Sequence, residues 1–111
     1  MNISTQVKQG ILVVRVDGEL DMHVADEFRR RVDEALEAGG VRHVVLSLKG
    51  VTFVDSSGLG VILGRYKKIS AQGGRLMAAH VRPQVAKVFE LSGLQKIIKM
   101  FGTEAEALNS L

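Results

Sequence analysis

A short apolar run in the middle of the chain limits the possible folds more than any other feature. It contains Val44, Val45, Leu46 and Leu48, so it places apolar side chains on both faces of an extended segment. Strands of this kind are buried on both sides, which is typical of a central strand in a parallel sheet covered by helices. The chain is therefore predicted to form an α/β fold around this strand.

The segment after this strand is predicted to be a helix over residues 57 to 72. Its apolar residues recur at intervals of three and four, as one buried face of a helix requires, and they are Leu59, Ile62, Leu63, Tyr66 and Ile69. Residues 50 to 54 lead from the strand to this helix. Asp55, Ser56 and Ser57 consequently lie where the strand ends and the helix begins.

Two glycines, Gly60 and Gly64, lie in this helix away from its buried face. Each costs about 1 kcal/mol relative to alanine in a helix interior, so some other interaction should offset them. The bare backbone could let the helix pack close to a neighbouring element, or it could form a flat strip that the backbone of another protein approaches. The spacing alone leaves both explanations open.

The rest of the chain alternates between strands and helices. Its predicted elements are a hairpin of Ile3 to Val7 and Ile11 to Val16 joined at Gln9-Gly10, a helix capped by Asp21 and ended by Gly39-Gly40, a strand Leu76 to Ala79, a helix from Pro83 to Ser92-Gly93, a strand Ile97 to Phe101, and a terminal helix capped by Thr103 with Glu106. The predicted fold is a mixed, mostly parallel sheet of about five strands with an N-terminal β-hairpin and about four helices, in one small domain spanning residues 1–111.

Composition narrows the functional classes. The 111 residues include no cysteine, which excludes disulfides and thiolate metal sites and fits a reducing cytoplasm. The net charge of +3 is mild, and one tyrosine and no tryptophan give little stacking surface for nucleic acid. No apolar stretch reaches the roughly 18 residues of a membrane span. We expect a soluble, cytoplasmic and monomeric protein without direct nucleic-acid or membrane binding.

The Asp-Ser-Ser turn does not match common catalytic motifs. A hydrolase elbow has glycine two positions before its serine, whereas Asp55 stands two positions before Ser57. The glycines from Gly58 onward are not followed by the acidic residue of a dinucleotide site or by the Lys-Ser/Thr of a P-loop. We predict no catalytic residues, no metal site, no cofactor and no enzymatic activity.

A receiver domain, which accepts phosphate on an aspartate, is a stronger alternative because Asp55 follows a central strand. Such a site needs a pair of acidic residues after the first parallel strand to hold Mg²⁺. Here Glu19 and Asp21 are separated by Leu20, and the strand Leu76 to Ala79 is not followed by a hydroxyl residue. The sequence disfavours this alternative.

The run from Asp55 to Lys67 resembles the signature of the STAS-domain anti-sigma-factor antagonists. The resemblance extends over most of the chain through Gly18 to Asp21, Arg42 to Leu46, Pro83, and Ser92 to Leu94. Met22 departs from the family, which often has a polar residue after the aspartate that Asp21 matches. The resemblance implies the STAS fold.

The resemblance also implies a phosphorylation switch that controls binding. The unmodified protein would bind an anti-sigma factor that is also an ATP-dependent serine kinase, and would thereby free a sporulation sigma factor. Phosphorylation of Ser57 would block this docking with little rearrangement, and a phosphatase would reset it. The residues that the resemblance assigns to partner binding are Gly18, Glu19, Leu20, Asp21, Asp55, Ser56, Ser57, Gly58, Leu59, Gly60 and Gly64.

Two alternatives accompany this hypothesis. Without the resemblance, Ser57 is more simply explained as the N-cap of the helix, a position that serine favours. The domain could also be a sensory or scaffold STAS domain that binds a small ligand or a transporter.

Overall fold

A computed structural model describes residues 2 to 111, which form one five-stranded sheet with the strands in chain order. Strands β1 (Asn2–Lys8) and β2 (Ile11–Leu20) are antiparallel, and β3 (His43–Val54), β4 (Leu76–Ala79) and β5 (Lys99–Phe101) continue the sheet in parallel. The helices are α1 (Ala25–Glu37), α2 (Ser56–Ala71), α3 (Pro83–Ser92) and α4 (Glu104–Asn109). This order confirms the predicted fold class.

The hairpin between β1 and β2 forms as its turn residues predict. Gln9 and Gly10 have φ angles of 56° and 76°. Two successive residues with positive φ give a turn whose twist matches that of the two strands. The hairpin therefore fixes β1 as the edge of the sheet beside β2.

Helices cover both faces of the sheet. Helices α1, α2 and α3 bury one face, and their fully buried side chains include Phe28, Ile62 and Phe89. The short helix α4 covers part of the other face with Ala107 and Leu108. Every residue of the central run, 44 to 48, is buried, as the sequence predicted.

The buried face of α2 also follows its predicted spacing. Ile62 and Ile69 are almost completely buried, and the other three apolar residues of the stripe are partly buried against the same core. No helix among residues 2–111 has both the length and the apolar character needed to cross a membrane.

The prediction that Asp21 caps the first helix is wrong. The N-cap of α1 is Val24, and no side chain bonds to the free N–H groups there. Asp21 instead forms a separate turn before the helix: its Oδ1 accepts a hydrogen bond from His23 N at 2.9 Å and its carbonyl accepts one from Ala25 N at 2.9 Å. Aspartate side chains often bond to the backbone two residues on, and this local turn delays the start of the helix.

Strands β2 and β3 extend beyond the rest of the sheet. The pairing of β3 with β4 ends at Ser47, whereas its pairing with β2 continues to Val54, which lies opposite Leu20. The register of β2 and β3 shifts twice on the way, between Arg15 and Asp17 and between Gly18 and Glu19. Such irregularities increase the local twist and redirect a strand. The projecting β2–β3 pair carries the ends of both strands to the start of α2.

A side-chain ion pair fastens α4 to the sheet. Arg15 on β2 donates through Nε and Nη2 to the two carboxylate oxygens of Glu104, both at 2.9 Å. These hydrogen bonds lower the pKa of the Glu104 carboxyl below its usual value of 4.5. A carboxyl that is more acidic in the folded chain contributes stability above its unfolded pKa, and the contribution disappears as the pH falls through its folded pKa.

We expect Glu104→Gln to lower the free energy of unfolding by about 1 kcal/mol at neutral pH, because the pair is partly exposed. The difference from the unmodified chain should shrink as the pH falls below about 4.5, since both proteins then lack the charged carboxylate. Urea unfolding at a series of pH values measures this. Glu106→Gln, in the same first turn of α4, is the matched control. A difference for Glu104→Gln that stays constant with pH would contradict the expectation.

Candidate functional site

Asp55 is the residue that starts α2. Its backbone is extended, with φ −95° and ψ −173°, and its Oδ1 accepts a hydrogen bond from Gly58 N at 2.9 Å. This is the geometry of an N-cap. The alternative explanation of Ser57 as the N-cap is therefore wrong, and Ser57 is the second residue of the helix.

The second carboxylate oxygen of Asp55 reaches across to the segment after β2. Oδ2 accepts a hydrogen bond from Met22 N at 3.1 Å, and the backbone N–H of Asp55 donates to Leu20 O at 3.3 Å. The Asp55 side chain thus forms hydrogen bonds both with the start of α2 and with the segment at Met22, which lies 33 positions away in sequence. The structure brings the predicted partner-binding residues 18 to 21 beside residues 55 to 58.

Gly58 allows this close approach. A Cβ atom at position 58 would lie 2.2 Å from the carbonyl oxygen of Leu20 and 2.9 Å from Cγ1 of Val54. Both distances are shorter than non-bonded contacts allow. The first turn of α2 can therefore rest against the end of β2 only if residue 58 is glycine.

The predicted site residues differ in their exposure. Leu20 and Gly58 are buried, so they shape the site from beneath. The exposed members are Glu19, Ser56 and Gly60, and the partly exposed members are Gly18, Asp21, Asp55, Ser57, Leu59 and Gly64.

The hydroxyl of Ser57 takes part in none of the side-chain hydrogen bonds found in residues 2–111. The residue is partly exposed, and its neighbour Ser56 is exposed. The N-terminal turn of a helix favours negative charge, because its N–H groups point outward and the helix dipole is positive there. The helix N-terminus favours a phosphate on Ser57, whereas the carboxylate of Asp55, which caps the same turn, opposes it.

Gly60 and Gly64 do not serve internal packing. A Cβ atom at either position would meet no atom of a neighbouring element within 4 Å. Close packing against a neighbouring element, the first of the two explanations offered by the sequence, therefore does not account for them. The open strip along α2 is the explanation that remains.

Two exposed apolar side chains flank the site, and the sequence patterns did not identify either as a contact residue. Met22 is 68% exposed and Phe53 is 50% exposed. Phe53 lies opposite Glu19 at the end of the β2–β3 pair, and the backbone of Met22 bonds to Asp55. Phe53 is adjacent to the buried Val54 in an extended strand, so the two side chains point to opposite faces of the strand, and the face of Phe53 is not covered.

The remaining chemistry of this region is sparse. Residues 2–111 contain no group of three or more histidine or acidic side chains that could hold a metal ion. Asp55 uses both oxygens in hydrogen bonds to the backbone, which is a structural role. What the arrangement offers is an accessible hydroxyl at a helix N-terminus, surrounded by exposed backbone and two apolar side chains.

Comparison with known proteins gives a consistent assignment. The family model described as "STAS domain" matches residues 2–107. A curated relative from Paenibacillus polymyxa, an anti-sigma F factor antagonist, is 45% identical over 113 aligned residues, which cover 100% of this chain and 97% of the relative. A solved structure from Thermotoga maritima is 29% identical with a TM-score of 0.91, and the match covers 97% of this chain and 92% of the other.

Two solved structures of the anti-sigma factor antagonist SpoIIAA also match. The unphosphorylated form is 31% identical with a TM-score of 0.77, covering 98% of this chain and 96% of the other. The phosphorylated form, from Bacillus, is 32% identical with a TM-score of 0.76, covering 98% of each chain. The fold resembles both forms equally well.

Proposed function

Because the chain belongs to the STAS domain family, and within it to the anti-sigma factor antagonists, we propose that it binds an anti-sigma factor and thereby releases a sigma factor. The relative from Paenibacillus polymyxa supports an anti-sigma F factor as the partner. We also propose that the released sigma factor is a sporulation sigma factor. The protein would act in the cytoplasm as a monomer, by binding and not by catalysis.

The second part of the proposal is that Ser57 is a phosphorylation switch. The anti-sigma factor would be an ATP-dependent serine kinase, holding ATP or ADP, and a serine phosphatase would remove the phosphate. One observation carries this step: Asp55 caps α2, so the Ser57 hydroxyl is partly exposed and has no structural task. Solved structures of the similar protein SpoIIAA exist in a phosphorylated and an unphosphorylated form, which supports phosphorylation as the switch.

The docking surface is proposed to surround Ser57. It comprises the exposed parts of residues 18 to 21 and 55 to 59, the glycine strip of Gly60 and Gly64, and the side chains of Met22 and Phe53. The glycines leave backbone accessible, and the two apolar side chains offer area that gains stability when water is excluded. Interfaces of proteins commonly combine such a central apolar contact with a polar rim.

The proposed mechanism of inactivation is electrostatic and steric. A phosphoserine carries a charge of about −1.5 to −2, and the helix N-terminus stabilises negative charge by roughly 0.3 to 1 kcal/mol, so the fold has no reason to change. Burying that charge against a partner shaped for a hydroxyl costs several kcal/mol.

We expect the purified chain to take up one phosphate on Ser57 when it is incubated with the anti-sigma factor of its host and ATP. Mass spectrometry of the digested protein locates the phosphate. Ser57→Ala should abolish the labelling and keep binding, whereas Ser56→Ala, one position earlier in the same turn, should still be labelled. A serine phosphatase should then remove the label.

Continued phosphorylation of Ser57→Ala would contradict the assignment of the site. Absence of labelling together with absence of anti-sigma factor binding would contradict the function. In that case, specific capture of a transporter or a small ligand would favour the sensory or scaffold alternative.

A further inference from the structure

A groove of about 360 Å³ opens at the edge of the sheet where β4 meets β5. Helix α2 contributes Tyr66 and Ser70 to its wall, so it lies at the opposite end of α2 from Ser57. At 1.5 Å per residue, the distance along the helix from Ser57 to Ser70 is about 20 Å. The groove shares no residue with the proposed docking surface, which extends along α2 as far as Gly64.

The short length of β5 creates this groove, since the strand begins at Lys99 and not at Ile97 as the sequence predicted. The first residue of β5, Lys99, pairs with Met77, the second residue of β4. Leu76, the first residue of β4, consequently has no strand beside it on that side. The 3-10 turn Leu94–Lys96 brings Ile97 to the rim.

The groove is lined by apolar and polar groups in about equal parts, and two of the polar groups are cations. Tyr66, Met77, Ile97 and Phe101 supply the apolar part, and Ile97 is 42% exposed. The charged lining residues are Arg75 and Lys99, and the lining contains no carboxylate. A cavity of this size with aromatic walls and a few polar groups is typical of small-molecule sites.

Both cations are available to a ligand. Neither Arg75 nor Lys99 takes part in the ion pairs found in residues 2–111. The Lys99 ammonium lies 5.3 Å from the centre of the Phe101 ring, a cation–π distance that holds the charge beside the apolar wall. An anion bound in this groove would meet cations that no carboxylate already neutralises.

We propose that this groove binds a small amphipathic carboxylate, with its aromatic or aliphatic body against Tyr66, Ile97 and Phe101 and its carboxylate between Arg75 and Lys99. The charge complementarity selects an anion, and the apolar walls select against simple inorganic ions. Since the groove shares no residue with the docking surface around Ser57, this proposal does not depend on the proposed function.

Titration of the ¹⁵N-labelled chain with hydrocinnamate, followed by amide chemical shifts, tests the proposal. Hydrocinnamyl alcohol has the same ring without the charge, and acetate has the charge without the ring. We expect hydrocinnamate to cause saturable shifts confined to amides lining the groove, with an affinity at least tenfold higher than either control compound. Scattered shifts, absence of saturation, or equal binding of the alcohol would overturn the proposal.

A pair of double variants separates a built site from general attraction between charges. Arg75→Gln with Lys99→Gln should lower the affinity for hydrocinnamate at least tenfold. Lys67→Gln with Lys87→Gln removes the same charge from two exposed positions outside the groove and should leave the affinity unchanged. Equal losses in both double variants would refute the groove as the site. Thermal unfolding of each variant confirms that the fold is retained.

Discussion

Replacing Gly58 by alanine is expected to lower the free energy of unfolding by about 2 to 3 kcal/mol, because it overpacks a site that cannot expand. The added methyl group would lie 2.2 Å from the carbonyl oxygen of Leu20, and backbone at that point is held by the hydrogen bond from Asp55 N. To relieve the contact, the first turn of α2 has to move away from the end of β2. Urea unfolding followed by circular dichroism measures the loss.

Gly60→Ala, two residues later in the same helix, is the matched control for this prediction. A methyl group there meets no atom of a neighbouring element within 4 Å, and alanine is the better helix former. The control should raise the free energy of unfolding by about 0.5 to 1 kcal/mol. Opposite signs for the same chemical change on one helix would show that contact with Leu20, and not helix propensity, decides the effect. A loss of similar size in both variants would contradict this explanation.

Replacing Ser57 by aspartate is expected to weaken binding to the anti-sigma factor about 100-fold, which corresponds to about 2.8 kcal/mol. The carboxylate places charge where the proposed partner meets a hydroxyl, and it has to be desolvated on docking. The free energy of unfolding should change by less than about 1 kcal/mol, because the second residue of a helix accommodates negative charge. Isothermal titration calorimetry with the purified anti-sigma factor and ADP measures the affinity.

Gln84→Asp provides the control for added charge. Gln84 is exposed and is the second residue of α3, the position that Ser57 has in α2. Aspartate there adds one negative charge in the same helical context but outside the proposed docking surface, so the affinity should stay within twofold of the unmodified chain. If Ser57→Asp binds as tightly as this control, charge at Ser57 does not block docking and the proposed switch is wrong.

The strands and helices followed from local patterns in the sequence. The run from Val44 to Leu48 is buried on both faces of the sheet, as its apolar side chains predict. Its one polar residue, Ser47, is buried with the others. The Gln9-Gly10 turn and the helix start at Pro83 formed as predicted, because their backbone preferences act within a few residues. The assignment to a family rested on a long run of residues around the same helix start.

The errors arose where two local solutions were available. Asp55 and Ser57 are both suitable N-caps, and Asp21 is suitable for both a cap and a turn. Asp55 caps α2 in the structure, and it is held there by hydrogen bonds of its N–H to Leu20 O and of its Oδ2 to Met22 N. These hydrogen bonds join it to a segment that lies far away in sequence, so no local preference could have selected between the two caps.

The sequence by itself determined the order of the elements, the buried faces and the position of a serine at a helix start, since periodicity and turn preferences depend on neighbouring residues. Only the tertiary structure decided that Asp55 and not Ser57 is the N-cap of α2, and that Met22 and Phe53 are exposed beside it. The groove lined by Arg75 and Lys99 beside the short β5 was likewise visible only in the tertiary structure. These features depend on where β2, β3 and β5 end relative to one another. Strand ends are set by pairing between distant segments, which local sequence does not specify.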